Sequence, residues 1–252
     1  FFFKQKTAYE ISTRDWSSDV CSSDLGSLIG IFAGHRIRSE IRALMTDVLG
    51  AVTLISAAGA IKALWNSSLD SLPTGAPILI VLASLLIGGL IGSLLSFEAR
   101  LEGVAEKLKA KFDRGNSSRF VEGFVYSSLI FVIGPLAILG SISDGMGTGV
   151  DQLLLKSALD FFASIAFAAT FGWGVSLSSL PVGIYQFSWT FVGVLLGSVL
   201  SETQVALMTA TGGILLLGIA LKLLEIKKIA IGNLLPALAL APCLVALVQA
   251  LF

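Results

Sequence analysis

Two oppositely charged side chains, Lys156 and Asp160, lie inside a stretch that is otherwise apolar. An ionisable group at membrane depth costs several kcal/mol unless it is paired or hydrated, so such residues are candidates for function. Their spacing of four residues places both on one face of a helix. This pattern predicts a cation or proton site in which Asp160 binds the ion and Lys156 is its partner. The alternative is a structural ion pair near the outer interface, with the Lys156 ammonium reaching towards water.

A second acid, Glu122, lies one turn into another apolar stretch. As a carboxylate at membrane depth it is a further candidate for binding the same cation. Arg119 precedes it by three residues. An interfacial charge beside Arg119 is therefore the alternative for Glu122.

Polar residues at expected helix breaks form the second set of candidates. A break in a helix leaves backbone carbonyl and amide groups without intrahelical partners. These groups can bind ions or polar solutes. Ordinary helix kinks are the alternative at each position. The candidates are Asp144, Gln186 and Asn233, within residues 140–145, 185–186 and 232–236 respectively.

Enzyme signatures are absent from the sequence. His35 is the single histidine, which excludes His-pair zinc motifs and a Ser-His-Asp arrangement on a second histidine. Cys21 lies in a segment excluded below and Cys243 is then alone, so there is no disulfide framework and no cysteine metal site. We expect no enzyme activity, no cofactor and no metal. The basic residues are accounted for by membrane topology, so nucleic acid is not an expected partner.

The composition is that of a membrane protein with several spans. Hydrophobic residues make up 55% of the chain and charged residues only 13%, and the charges gather in short stretches. We therefore predict an all-α fold, a polytopic transmembrane helical bundle, with residues 26–252 as a single transmembrane domain. The expected partners are the lipid bilayer, a small-molecule or ion substrate, and further copies of the chain in a homo-oligomer.

Eight apolar segments are predicted, of which the first is truncated. The last carries Pro236 and Pro242, which favour a kinked or broken helix. If that segment is re-entrant, seven spans remain. The segments are Leu25–His35, Leu44–Trp65, Pro77–Phe97, Phe120–Ile142, Leu153–Val175, Pro181–Leu200, Val205–Leu224 and Ile229–Phe252.

The distribution of Lys and Arg predicts the orientation. Basic residues cluster after the first, third and seventh segments, whereas the loops 66–76, 141–152 and 201–204 contain none. Since cytoplasmic loops carry the excess of Lys and Arg, the three basic loops are predicted to be cytoplasmic. An apolar stripe over residues 98–114 predicts an amphipathic helix on the inner surface. A solvated linker helix is the alternative.

Residues 1–25 resemble a translated sequencing adapter. Lys4–Glu10 and Asp15–Leu25 back-translate in one reading frame into two common sequencing primers. Such a segment is excluded from fold reasoning. We expect Phe1–Asp24 to have no packed counterpart in the fold, and any helix there to stand in for a lost half of the first segment.

The chain carries signs of an internal repeat. The predicted orientation runs its two copies in opposite directions, as in transporters whose substrate site lies at the midplane between inverted repeats. The alternative is coincidence between packing motifs, because Gly-x-x-x-Gly is first of all a close-packing pattern. An offset of 163 aligns Gly30 with Gly193, Gly34 with Gly197, residues 43–46 with 206–209 and Gly50 with Gly213, and a three-residue slip then aligns 60–62 with 220–222.

Several stretches carry a family resemblance: Val121–Phe124, Gly134–Ser141, Lys156–Asp160, Pro181 with Tyr185–Gln186, and Ile226–Pro236. They resemble the YqgA/YdfK-like bacterial membrane proteins of domain-of-unknown-function family 554. The resemblance extends from Gly26 to the C-terminus. It implies a multi-pass protein of the bacterial cytoplasmic (inner) membrane, and it implies neither a substrate nor catalytic residues.

Two hypotheses for function follow. The first is a secondary transporter of a small solute, in which Asp160 and Glu122 bind a coupling cation while Gln186 and Asn233 lie near the solute. The second is a non-transporting membrane scaffold or partner-binding subunit. Convergence of Asp160, Glu122 and Asn233 on one midplane cavity would favour the transporter, and their scatter would favour the scaffold.

Overall fold

The fold is helical throughout the part of the chain that the computed structural model describes, which is residues 16–34, 38–112, 119–133, 135–146, 151–196 and 200–251. The predicted all-α class is therefore confirmed. Short 3₁₀ helices at Lys62–Trp65 and Ser67–Ser71 precede α3, and another at Ile231–Leu234 precedes α11. Numbered α1 to α11 in chain order, the α-helices are Trp16–Gly34, Ser39–Ile61, Ala76–Leu94, Phe97–Phe112, Phe120–Ile133, Pro135–Met146, Asp151–Phe171, Gly174–Leu177, Ser179–Leu196, Glu202–Leu223 and Pro236–Leu251.

Four stretches of the described chain are helical, long and apolar enough to cross a membrane: Ala43–Ser71, Ala76–Leu94, Glu202–Leu223 and Ile231–Leu251. They correspond to the second, third, seventh and eighth predicted segments. Helix α11 continues through Pro242, so the last stretch has the length of a span. The remaining predicted segments coincide with α1, α5 followed by α6, α7 and α9.

The outer faces of these helices are apolar. On α3, Leu79, Leu86 and Leu94 are exposed, although each is fully hydrophobic. A helix that is apolar on its exposed face as well as its packed face is typical of a membrane span. The surface of the molecule is therefore suited to lipid.

Helices α2 and α10 pack antiparallel at two glycines. A Cβ atom at Gly50 would lie 2.7 Å from Leu224 Cγ, and a Cβ atom at Gly213 would lie 2.8 Å from the Ile61 nitrogen. The missing side chains let the two helices approach closely. In a bilayer such close packing drives association, because lipid tails are as apolar as the helix surface.

Helices α3 and α11 form a second antiparallel pair of the same kind. A Cβ atom at Gly88 would lie 2.5 Å from the Ala237 nitrogen, and one at Gly92 would overlap the Asn233 carbonyl oxygen. Each helix of this pair follows a 3₁₀ turn and has a proline within its first two residues. Proline is suited to this position because the first amides of a helix have no intrahelical partner.

The central helices also meet at glycines. Helix α1 runs parallel to α7, with Gly30 against the carbonyl oxygen of Ile165. Helix α9 packs against α6, with Gly193 against the carbonyl oxygen of Ile142. The Gly-x-x-x-Gly patterns are thus used for packing.

One expectation about the N-terminus is wrong for the described residues. Helix α1 begins at Trp16, Ser23 is buried, and the Ser22 hydroxyl donates to the Ser157 carbonyl oxygen at 3.1 Å. These residues therefore pack against α7, because small serines allow close helix contact as glycines do. Residues 1–15 lie outside the described residues.

Two expected helix breaks are also absent. Helix α6 continues through Asp144 to Met146. Within it, the Ser141 hydroxyl donates to the Ala137 carbonyl oxygen at 2.6 Å, so this polar side chain is satisfied without a break in the helix. Helix α9 continues through Gln186. Pro181 does not break it because it lies in the first turn, where proline is tolerated. The expected break near Asn233 is present as the 3₁₀ helix Ile231–Leu234.

The amphipathic segment forms α4, Phe97–Phe112. Ala105 is fully buried, and Leu101 and Leu108 pack against the main hydrophobic core. These positions recur at intervals of three and four residues, which places them on one helical face. Helix α4 is therefore docked on the bundle and is not a solvated linker.

Substituting Gly88 with alanine should destabilise the fold, because the added methyl group overlaps the backbone of α11. Overpacking of this kind costs about 1–3 kcal/mol, which lowers Tm by several degrees. Gly59→Ala is the matched control, since a Cβ atom at Gly59 has no neighbour within 4 Å. Thermal unfolding in detergent compares the two variants, and equal Tm values would contradict the assigned α3–α11 contact.

Candidate functional site

The predicted charged pair forms within α7. Lys156 Nζ donates to Asp160 Oδ2, and the two side chains are only 5% and 13% exposed. Because both charges lie inside the protein, the Lys156 ammonium does not extend to water. Removing one partner of such a pair leaves an uncompensated charge in a medium of low dielectric constant.

Two more predicted residues are buried on neighbouring helices. Asp144 on α6 is 2% exposed and Gln186 on α9 is fully buried. Helices α6 and α9 cross at Gly145, whose Cβ atom would overlap the Thr190 carbonyl oxygen, and α6 also contacts Leu153 of α7. The structure thus places Asp144, Gln186 and the Lys156–Asp160 pair on three helices joined by direct contacts.

Hydroxyl groups that the sequence analysis did not select lie on the same helices. Thr190, one turn after Gln186, and Ser157, next to Lys156, are both buried. Their hydroxyl oxygens have no hydrogen-bond partner among the described residues. A buried polar group without a partner loses its hydration, so both groups are available to a bound ion or solute. Their spacing from Gln186 and Lys156 was the signal that could have identified them.

The buried polar side chains on α6, α7 and α9 include several oxygen ligands. Carboxylate, amide and hydroxyl oxygens bind hard cations and hydrogen-bond polar solutes. Among the described residues, no three His, Cys, Asp or Glu side chains come together as a set that could hold a metal ion. Each of these groups singly could therefore bind a proton, an alkali cation or a small polar solute.

Glu122 does not join this region. It is exposed and lies in the first turn of α5. An acid at this position is stabilised by the partial positive charge of the helix N-terminus, which explains its presence without a ligand. Its exposure agrees with the alternative of an interfacial charge and not with a buried cation site.

Asn233 has a different partner from the one expected. Its Oδ1 atom accepts a hydrogen bond at 2.9 Å from the backbone N–H of Glu98, in the first turn of α4. Asn233 therefore ties the segment before α11 to α4. Asp160, Glu122 and Asn233 lie on three separate elements and do not converge on one cavity.

The sequence analysis did not select Glu98, an acid with two partners on other elements. Its Oε1 accepts from Lys222 Nζ at 2.8 Å and its Oε2 accepts from the Gly232 N–H at 2.5 Å. Lys222 Nζ also lies 5.3 Å from the centre of the Tyr126 ring on α5, within range of a cation–π interaction. An acid at the start of a helix in a basic loop was the only local signal.

Comparisons with known proteins cover most of the chain. Residues 19–246 match the family described as "Protein of unknown function (DUF554)". The chain is 30% identical over 225 residues to "Uncharacterized membrane protein YdfK" of Bacillus subtilis (strain 168), covering 89% of this chain and 92% of that protein. It is 31% identical over 221 residues to "Uncharacterized protein YqgA" of Escherichia coli (strain K12), covering 86% and 89%. No solved structure matches.

The buried pair generates a stability prediction. Lys156→Met should destabilise the protein by about 3–5 kcal/mol, because it leaves the Asp160 charge buried without its partner. The double variant Lys156→Met/Asp160→Asn should lose less than the sum of the two single variants. SDS titration measures the free energy of unfolding of the unmodified chain, the two single variants and the double variant. The exposed Glu122→Gln is the control. A loss for Lys156→Met no greater than for the control would contradict the pairing.

Proposed function

This chain belongs to the DUF554 family, and from the charges buried in its helices we propose that it is a multi-pass transporter of the cytoplasmic membrane. Its cargo is a small polar solute, and movement of the solute is coupled to a proton or alkali cation. The protein catalyses no covalent chemistry in this proposal.

The observation that carries the proposal is the burial of charge within apolar helices. Lys156, Asp160 and Asp144 are all largely inaccessible on helices that contact one another. Ionisable residues at membrane depth are expensive, and they mark ion and substrate pathways in membrane proteins. A purely structural role needs no such groups, since apolar residues of similar volume pack equally well.

The element boundaries support an internal repeat. Helices α2 and α10 begin at residues 39 and 202. These starts differ by 163, the offset that aligns Gly30 with Gly193. Helices α3 and α11 begin at 76 and 236, which agrees with the three-residue slip. Helices α1–α3 and α9–α11 are thus the two copies in this proposal.

Reciprocal contacts support an inverted relation between the copies. Gly50 contacts Leu224, and Gly213 contacts Ile61. The offset of 163 exchanges the two glycines, and the three-residue slip aligns Ile61 with Leu221, one turn before Leu224. Antiparallel helices that exchange in this way are related by a two-fold axis in the membrane plane, the arrangement of inverted-repeat transporters.

In the transport cycle, the buried pair is where the coupling cation competes. A proton or alkali cation that binds the Asp160 carboxylate displaces the Lys156 ammonium, so the occupied and empty sites differ in their internal contacts. A ligand shifts a conformational equilibrium only through such differential contacts. The Gln186 amide and the Thr190 hydroxyl then provide hydrogen bonds for the solute.

One observation favours the scaffold as a second candidate. Glu122 and Asn233 lie apart from Asp160, and Asn233 already has a structural partner. A scaffold requires a stoichiometric partner. Affinity capture of the chain from native membranes, followed by quantitative mass spectrometry, would decide against this role if no stoichiometric protein were recovered.

Reconstitution into liposomes tests transport. With a pH-sensitive or an alkali-cation-sensitive dye in the lumen and a metabolite panel outside, the chain should move protons or alkali cations when its solute is present. Asp160→Asn should lower that rate at least about tenfold, because hydrogen bonds to charged groups contribute roughly 1.5–3 kcal/mol. Glu122→Gln should leave the rate unchanged.

The double variant Lys156→Met/Asp160→Asn separates function from folding, because it removes the cation site without leaving an unpaired charge. It should elute as a folded protein on size-exclusion chromatography and transport nothing. If no solute or cation moved with the unmodified chain, and Asp160→Asn changed nothing, the transport proposal would fail.

A further inference from the structure

Glu98, Lys222 and the Gly232 amide form a cluster, the Glu98 cluster, that joins elements from distant parts of the chain. Its ion pair links α4 to the end of α10 across 124 residues, and its other carboxylate oxygen binds the segment before α11. The Glu98 and Lys222 side chains are 12% and 15% exposed. Hydrogen bonds to an ionised group that is largely shielded from water are stronger than neutral ones. This carboxylate therefore holds one end of the bundle together.

The cluster depends on the absence of a side chain at Gly232. A Cβ atom there would lie 2.7 Å from Glu98 Oε2. On its other side the 3₁₀ helix Ile231–Leu234 packs against α3, where Gly92 faces the Asn233 carbonyl oxygen. This 3₁₀ helix therefore lies between Glu98 and α3 and contacts both.

The opposite end of the molecule differs. Lys62, which aligns with Lys222 in the repeat, is exposed and has no ion pair among the described residues. Among the described residues, two hydrogen bonds with uncharged donors connect the start of α10 there. The Thr203 hydroxyl donates to the Ser68 carbonyl oxygen at 2.9 Å, and Gln204 Nε2 donates to the Pro242 carbonyl oxygen at 3.0 Å. Beside them lies an open groove of about 430 Å³ between the end of α2 and the start of α10, lined by Ala63, Asn66, Leu200, Glu202, Val205 and Thr209.

We propose that the Glu98 contacts form a latch that closes the end of the transporter carrying α4. The inference rests on the proposed transport function, because inverted-repeat transporters open their two ends alternately. Breaking the ion pair and the Gly232 hydrogen bond releases α4 from the segment before α11. Release of α4 is then the step that opens this end.

A cysteine at Ala105 reports on the latch. Ala105 is fully buried on the docked face of α4 and lies two turns after Glu98. With the exposed Cys21 and Cys243 replaced by serine, Ala105→Cys should react slowly with a polar maleimide in lipid nanodiscs. Adding Glu98→Gln should raise the labelling rate at least about tenfold, which corresponds to about 1.4 kcal/mol.

Glu102→Gln is the matched control, since Glu102 is an exposed acid one turn later on the same helix. It should leave the labelling rate unchanged. Lys222→Met tests the other half of the ion pair and should raise labelling as Glu98→Gln does. Because the two residues act on one contact, the double variant should add little to either single variant. Labelling of Glu98→Gln and Lys222→Met at the rate of Glu102→Gln would overturn the latch.

The labelling assay needs no solute, so its result is separable from that of the flux assay. If Glu98→Gln raises the labelling rate but the chain shows no flux, the latch stands as a conformational device and the transport proposal fails. If Asp160→Asn abolishes the flux and Glu98→Gln leaves the labelling rate unchanged, the transport proposal stands and the latch proposal fails.

Discussion

Close approach of helix backbones at glycine is the interaction on which the rest of this structure depends. Lipid surrounds the helices with a medium as apolar as their own side chains, so burial alone does not hold them together. Gly88, Gly193 and Gly213 instead let neighbouring helices come within van der Waals distance of backbone atoms. These crossings bring the helices that carry the buried polar groups into contact.

Polar groups are accommodated around the crossings in two ways. Hydroxyls such as Ser141 and Thr211 donate to the carbonyl oxygen one turn earlier and are satisfied locally. Charged groups cannot be satisfied so simply, because an ion needs a partner of opposite charge or water. Lys156 finds its partner within α7, whereas Lys222 finds Glu98 on another helix. The first pair belongs to the interior of the bundle and the second to one end.

The local patterns of the sequence predicted local structure well. The four-residue spacing of Lys156 and Asp160 predicted their ion pair, since one helical turn brings such residues together whatever surrounds them. The environment of a single residue was not decided by such local patterns. Glu122 is exposed and Asn233 binds the Glu98 amide, because the exposure of one side chain depends on which helices cover it. The Glu98–Lys222 contact spans 124 residues and leaves no local pattern at all.

The sequence by itself determined the helical class, the membrane environment and the family, because apolar length, hydrophobic content and short motifs are properties of contiguous residues. It also determined which glycines lie on helix faces. Only the tertiary structure decided which helices those faces meet. It therefore also decided that Asp144 and Gln186 lie on helices joined to the one that carries Lys156 and Asp160. Partner choice between helices depends on complementary surfaces far apart in the chain, and these are defined only after every helix has packed.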